Sequence, residues 1–246
     1  MFKGQKLTLI FPCRNEAEGI QKLINSVPKE VDEIIVVDNR SSDKTVARAR
    51  KAGARVFIED RHDNGIGYGF ALTTGINKAT GDIVICMDAD GSYPIDKILD
   101  AVKFQLKNKV DFVSCNRLPI LNTKEMAVIR RLGVWILNTT VRVLYGYPIQ
   151  DSLTGMWVFN RKAIENFQLF EGGWNLSLEI KLYAIHDKNI SFTEYHIPYR
   201  DRIFDESKQN LFHTGLTHFI YLLKKRVRLY NVSILNAPKV SLVEAQ

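Results

Sequence analysis

Short apolar runs alternate with amphipathic stretches through the first half of the chain. Leu7 to Cys13 is apolar and rich in strand formers, which predicts a first strand closed by Pro12. Glu16 to Val27 carries Ile20, Leu23, Ile24 and Val27 on one helical face, and Pro28 ends it. Glu33 to Asp38 predicts a second strand that finishes in an acid. Ser41-Ser42-Asp43 can cap a helix running to about Lys51, which Gly53 can terminate. Arg55 to Glu59 predicts a third strand. A glycine-rich loop, Asp63 to Gly69, then leads into a helix ending near Ala79. Ile83-Val84-Ile85-Cys86-Met87 is a near-continuous apolar run that stops abruptly at Asp88-Ala89-Asp90-Gly91, as a buried strand with an acidic tip would. A helix over Pro94 to Lys107 and a strand over Val110 to Asn116 follow. This βαβαβαβαβ order with short connections predicts a mainly parallel sheet with helices on both faces.

The second half is less regular. Residues 129–145 predict a long apolar helix, and Trp157 to Phe159 a strand after the turn Asp151 to Gly155. Leu176 to His186 predicts a helix and Ile190 to Pro198 a strand. Tyr199 to Gln209 is polar and reads as a loop. Residues 211–228 form an amphipathic pattern that ends in Lys224-Lys225-Arg226-Val227-Arg228. Nothing resembling a linker divides the chain, so residues 1–230 are expected to form a single domain and 231–246 a tail.

Composition narrows the class. A chain of 246 residues, 46% hydrophobic and 25% charged, suits one α/β domain with a sizeable core. Its net charge of +7 favours anionic partners. Cys13, Cys86 and Cys115 each fall in a predicted strand without a C-x-x-C, which favours buried reduced thiols and a cytosolic setting. The N-terminus lacks a signal-peptide pattern, and no segment offers the ~20 uninterrupted apolar residues of a spanning helix. A soluble or membrane-surface protein is the expectation.

Three strand tips carry the candidate chemistry: Cys13-Arg14-Asn15-Glu16, Asp38 to Asp43, and Asp88-Ala89-Asp90. Adjacent parallel strands would gather them at the sheet edge where α/β ligands bind. Two carboxylates one residue apart suit a hard cation, Mg2+ or Mn2+, that shares oxygen ligands with phosphates. The turn after the first strand contains no glycine, and Gly65-x-Gly67-x-Gly69 has the wrong place and spacing for a dinucleotide fingerprint. It reads instead as a close-packing loop at a helix start. No P-loop pattern is present.

Phe11 to Glu16, Val36 to Thr45, Ala79-Thr80-Gly81-Asp82 and Met87 to Gly91 resemble the family 2 glycosyltransferases of GT-A fold. Asn116-Arg117, Asp151-x-x-Thr154-Gly155 and Tyr199-Arg200-x-Arg202 followed by Ser207-Lys208 are similar to the dolichyl-phosphate mannose or glucose synthase branch. The resemblance covers about residues 6 to 228 and implies a Rossmann-like α/β fold with a C-terminal amphipathic helix. It also implies a metal-dependent, inverting transfer of a hexose from a nucleotide sugar to a polyprenyl (dolichyl or undecaprenyl) phosphate. Carried over residue by residue, Pro12, Arg14 and Glu16 match positions around base and ribose, and Asp38 the base-binding acid. Asp88 and Asp90 match the metal and diphosphate site, with Ala89 between them and Ser92 as a polar neighbour. Arg117 matches an acceptor-side arginine, and Arg202 and Lys208 a loop that closes on phosphate. Arg130 and Arg131 are further candidates for gripping the acceptor phosphate, since arginine binds it as a fork.

The chain departs from the family at Asn39, where a second Asp is common, and at Arg14, where Tyr is common. The wording Asp90-Gly91-Ser92-Tyr93 also differs from the usual mannose-synthase form, and the segment between Arg202 and Ser207 lacks its usual glycine. The competing readings are transfer to a saccharide hydroxyl with Asp151 as general base, and a non-catalytic nucleotide-sugar-binding module. The helices 129–145 and 211–228, with their basic residues, suit docking on the cytoplasmic face of a membrane; packing on the sheet or on a second copy of the chain is the competing role. A nucleic-acid partner is not expected.

Overall fold

The computed structural model describes residues 1–118, 128–199 and 211–235. The sheet order explains most of the architecture. The elements are β1 (Leu7–Cys13), α1 (Ile20–Asn25), β2 (Glu33–Asp38), α2 (Thr45–Lys51), β3 (Arg55–Ile58), α3 (Tyr68–Lys78), β4 (Ile83–Cys86), α4 (Ile98–Asn108), β5 (Phe112–Asn116), α5 (Val128–Tyr145), β6 (Trp157–Asn160), α6 (Leu176–His186), β7 (Phe192–His196) and α7 (Leu211–Leu235). Among the described residues the strands form one seven-stranded sheet in the order β3-β2-β1-β4-β6-β5-β7. All neighbouring pairs are parallel except those made by β6, which runs antiparallel to both β4 and β5. The expected mainly parallel α/β sheet is present. The reversal of β6 is new, because an apolar run of four residues carries no information about direction.

Side chains alternate between the two sheet faces, and both faces are covered. Leu7, Leu9 and Phe11 pack with Ile20, Leu23 and Ile24 of α1 and with Ile98, Ala101 and Val102 of α4. Ile10, Ile35 and Val37 face the other way, against Ala71, Leu72 and Ile76 of α3 and Leu176, Ile180 and Ala184 of α6. A third cluster joins α5, α6 and α7 through Leu137, Val141, Leu178, Leu182 and Leu222. Cys13, Cys86 and Cys115 are buried thiols that form no disulfide.

Several boundaries differ from those read in the sequence, for local reasons. The first helix begins at Ile20 instead of Glu16. The Glu16 amide donates to Thr45 Oγ1 at 2.8 Å and the Ala17 amide to Asp43 Oδ2 at 3.1 Å, so the turn before α1 is tied to the start of α2. Asp43 also accepts from the Thr45 amide at 2.9 Å, so the acid at the start of α2 ties two loops together. A 3-10 turn over Ile95–Lys97 precedes α4. Helix α7 continues to Leu235, beyond the end expected at Arg228.

Two predictions follow from this packing. A Cβ at Gly75 of α3 would sit 2.5 Å from Ile10 Cγ2 and 3.2 Å from Val37 Cγ2. Gly75→Ala should therefore destabilise the fold by about 1–3 kcal/mol in thermal or denaturant unfolding. At the tip of β3, Glu59 accepts from Arg61 Nη2 at 2.7 Å and from Thr74 Oγ1 at 2.5 Å. The Arg61 hydrogen bonds lead in lowering its pKa from 4.5 to about 2. This contribution is present above pH 4.5 and is lost as pH falls through about 2, so Glu59→Gln should flatten the acid limb of the stability–pH curve in that window.

Candidate active site

The tips of β1, β2 and β4 meet at one edge of the sheet. β1 and β2 stay paired as far as Cys13 and Asp38, whereas β1 and β4 part after Ile10 and Cys86. The ladder between β1 and β4 is therefore released just before Asp88. Tyr68 Oη at the start of α3 donates to Asp88 Oδ1 at 2.8 Å. Burial, and then the Asp88 charge, push the Tyr68 phenol well above its ordinary range, so it stays protonated as a donor. Asp90 is held by its own turn: the Ser92 amide and hydroxyl donate to Asp90 Oδ1 at 3.0 and 2.6 Å.

β6 supplies the other wall. Because it is antiparallel to β4, with Cys86 opposite Trp157, the residues just before β6 come to lie beside those just after β4. A Cβ at Gly155 would meet both Asp88 carboxylate oxygens at 2.8–2.9 Å and Tyr68 Oη at 2.9 Å. Only a glycine leaves room for the acid there. The preceding turn is held by buried charges. Arg117 Nε and Nη2 donate to Asp151 Oδ2 and Oδ1 at 2.8 and 2.9 Å, and the Arg117 amide adds a third bond at 3.1 Å. Burial alone would raise the Asp151 pKa, but the guanidinium overcomes it and holds the carboxyl below its usual range. Lys181 of α6, only 1% exposed, donates through Nζ to the carbonyls of Ser152 at 2.7 Å and Thr154 at 2.9 Å. Burial lowers the Lys181 pKa to about 7.

Two cavities open from this edge. One, of about 410 Å³, is lined by Pro12, Arg14, Glu16, Asn39, Asp88 and Asp90 among others. The second, of about 580 Å³, is largely apolar and lies between α5 and α7, lined by Leu132, Leu137, Phe212 and Leu216 and also by Asp88 and Arg117. Tyr68, Asp88 and Trp174 border both.

Most residues singled out in the sequence have a definite place. Pro12, Arg14, Glu16, Asp88, Ala89 and Asp90 converge on the first cavity. Asp38 is buried behind it: Oδ2 accepts from the Ser41 amide at 3.0 Å, and Oδ1 has no hydrogen-bond partner among the described residues. Ser92 is buried and serves Asp90. Arg117 reaches the second cavity, while Arg131 sits on the exposed surface of α5. Arg202, Lys208 and the Arg130 side chain lie outside the described residues. The glycine-rich loop packs closely, as expected: a Cβ at Gly67 would overlap the Asn39 side chain, whose amide donates to the carbonyls of Glu59 and Arg61 at 2.7 and 3.0 Å. Three contributors escaped the sequence reading: Tyr68, Trp174 and Lys181. For Lys181 a signal existed, a lone lysine within the apolar run Leu176 to Ile185 of a helix with no polar face.

The sheet order and the two cavities at its edge define an α/β fold with a candidate ligand cleft where its strands end. Residues 8–167 match the sequence profile of glycosyl transferase family 2, and the chain belongs to that family. It is 30% identical over 183 residues to an uncharacterised glycosyltransferase of Mycobacterium bovis, covering 74% of this chain and 80% of the relative. It is 28% identical over 203 residues to a dolichyl-phosphate hexose transferase of Haloferax volcanii, covering 80% and 83%. Among solved structures, the glucosyl-3-phosphoglycerate synthase of Mycobacterium tuberculosis, in complex with Mn2+, UDP and glucosyl-3-phosphoglycerate, superposes with a TM-score of 0.71. That alignment covers 91% of this chain and 80% of the synthase at 19% identity, which supports the GT-A architecture.

The donor set at Asp88 and Asp90 fits a hard divalent cation. Among the described residues no third metal-type side chain joins them, so the remaining ligands would come from a bound diphosphate and water, the usual arrangement for Mg2+. Removing Asp151 would strand Arg117 and leave Lys181 without its nearest counter-charge. Asp151→Ala should cost about 3–5 kcal/mol of stability in denaturant unfolding.

Proposed function

We propose that the chain transfers a hexose from a nucleotide sugar, such as GDP-mannose or UDP-glucose, to a polyprenyl or dolichyl phosphate at a membrane surface. The observation that carries this reading is the apolar cavity between α5 and α7 whose lining includes Asp88 and Arg117. A groove walled by Leu132, Leu137, Phe212 and Leu216 suits a hydrocarbon chain, and the Arg117 guanidinium in its lining suits the phosphate that chain would carry. The same two helices expose Trp135 (64%), Val143 (74%), Phe212 (81%), Leu216 (51%) and Val227 (58%), beside Arg131 and the Lys224-Lys225-Arg226 run. Such a surface suits an interface rich in anionic lipid. Among the described residues no helix is long and apolar enough to cross a membrane.

In this reading the first cavity takes the nucleotide, with Pro12, Arg14 and Glu16 around base and ribose and Asp38 behind them. The diphosphate lies over Asp88, Ala89 and Asp90, with Ser92 fixing Asp90. A divalent cation held by Asp88 and Asp90 would neutralise charge gathering on the leaving diphosphate. A phosphate oxygen of the acceptor attacks the anomeric carbon, the bond to the diphosphate breaks, and configuration inverts. The acceptor phosphate is already largely ionised near pH 7, since its second pKa is about 6, so no general base is needed. Arg117 positions that phosphate, with Arg131 at the membrane side, and Arg202 and Lys208 close on the phosphates. The alternative of a saccharide hydroxyl activated by Asp151 is disfavoured by burial: Asp151 is 0% exposed and both its oxygens are engaged by Arg117.

Incubation with labelled GDP-mannose or UDP-glucose, polyprenyl phosphate and Mg2+ or Mn2+ should carry label into the organic phase. If label stays aqueous with both donors in folded protein, the proposal is wrong. Asp90→Ala should lower that transfer on the order of 10²-fold or more. Leu216→Glu, which places a charge in the groove, should raise the KM for polyprenyl phosphate on the order of 10-fold while leaving nucleoside diphosphate affinity unchanged in calorimetry.

A further inference from the structure

Between the two cavities stands an aromatic side chain that nothing in the strand-tip motifs assigns. Trp174 borders both, together with Tyr68 and Asp88. Its ring centroid lies 4.6 Å from that of Tyr68 with the planes 35° apart, and Tyr68 in turn donates to Asp88. The indole thus stands on the border that a group moving from Asp88 and Asp90 to the groove would cross.

The loop that carries Trp174 is fixed from several directions. The amides of Gly69 and Phe70, at the start of α3, donate to the Gly172 carbonyl at 2.8 and 3.3 Å. A Cβ at Gly69 would lie 2.1 Å from the Glu171 carbonyl oxygen, and one at Gly172 would collide with the Phe70 ring. Glu179 Oε2, buried in α6, accepts from the amides of Phe170 and Glu171, each at 2.9 Å. The Trp174 carbonyl accepts from the Ser177 amide at 3.3 Å and its hydroxyl at 3.0 Å. The neighbouring Asn175 Oδ1 pairs with His218 Nδ1 of α7 at 2.7 Å. An exposed loop needs none of this; a side chain that must meet a substrate at one place does.

We propose that Trp174 is the wall of the transferred sugar: the hexose lies against its indole while the anomeric carbon passes from the nucleotide cavity to the groove. A hexopyranose presents C–H groups on its ring faces, and an indole offers a flat apolar surface with a negative face toward those hydrogens. Tyr68 braces the indole from the other side and keeps Asp88 oriented. This assignment rests on the nucleotide-sugar reading of the first cavity, and on no choice of acceptor.

Calorimetric titration of the full chain with UDP, GDP, UDP-glucose and GDP-mannose, in the presence of Mn2+, separates the two readings. Wild type should bind one nucleotide sugar at least 10-fold more tightly than the matching nucleoside diphosphate. Trp174→Ala should bind that diphosphate within about two-fold of wild type while losing the sugar's 10-fold advantage, about 1.4 kcal/mol. Trp174→Phe, which keeps an aromatic face, should recover most of it. If Trp174→Ala keeps the advantage, or loses diphosphate and nucleotide-sugar affinity in equal measure, the assignment is overturned while the donor reading stands. A wild type that binds neither donor nor diphosphate overturns both.

Discussion

Burying charge in a protein interior is costly unless every charge has a partner, and here that constraint shapes the site. Arg117 leaves the end of β5 and must find an anion; Asp151 provides it with both oxygens. Lys181 reaches up from α6 to the carbonyls of the same turn, and Glu194 of β7 accepts from the Gln150 and Asp151 amides at 2.7 and 2.9 Å. Four charged side chains from four parts of the chain thus meet at one turn. None could move without exposing another to an apolar surround. The turn they fix ends at Gly155, the residue whose missing side chain makes space for Asp88. The position of the candidate metal acid therefore depends on a set of mutually paired charges at the turn beside it.

The antiparallel β6 makes this geometry available. Had the strand beside β4 run parallel, its incoming loop would lie at the opposite edge of the sheet. Reversal brings that loop to the edge where β1, β2 and β4 already end. One edge then opens two cavities, with Asp88, Tyr68 and Trp174 as their common border.

Much of this was legible in sequence because strands announce both their apolar runs and their polar ends. The alternation over residues 7–116 gives five of the seven strands, and the acids closing the second and fourth, with the polar turn after the first, mark the edge. Asp88 and Asp90 stood out because two carboxylates interrupt an apolar run with no local reason to do so. Asp151 suits a general base in sequence because its partner is invisible there: Arg117 lies 34 residues away. Tyr68 and Trp174 were missed for the same reason, since each looks like an ordinary core aromatic until the chain brings the two together over more than 100 residues. Lys181 is different. A lysine inside an apolar helix is an anomaly that can be read directly, although its carbonyl partners cannot.

Asn39 shows how a departure from family wording becomes permanent. Its amide nitrogen serves two carbonyls, and its side chain fills the space that Gly67 leaves empty. An aspartate at this position would set a carboxylate against the Glu59 and Arg61 carbonyls, with no proton to share near neutral pH. A larger residue at position 67 would evict the amide. Position 67 can therefore gain a side chain only where position 39 gives up its own, so the first change open to the pair is a smaller residue at 39.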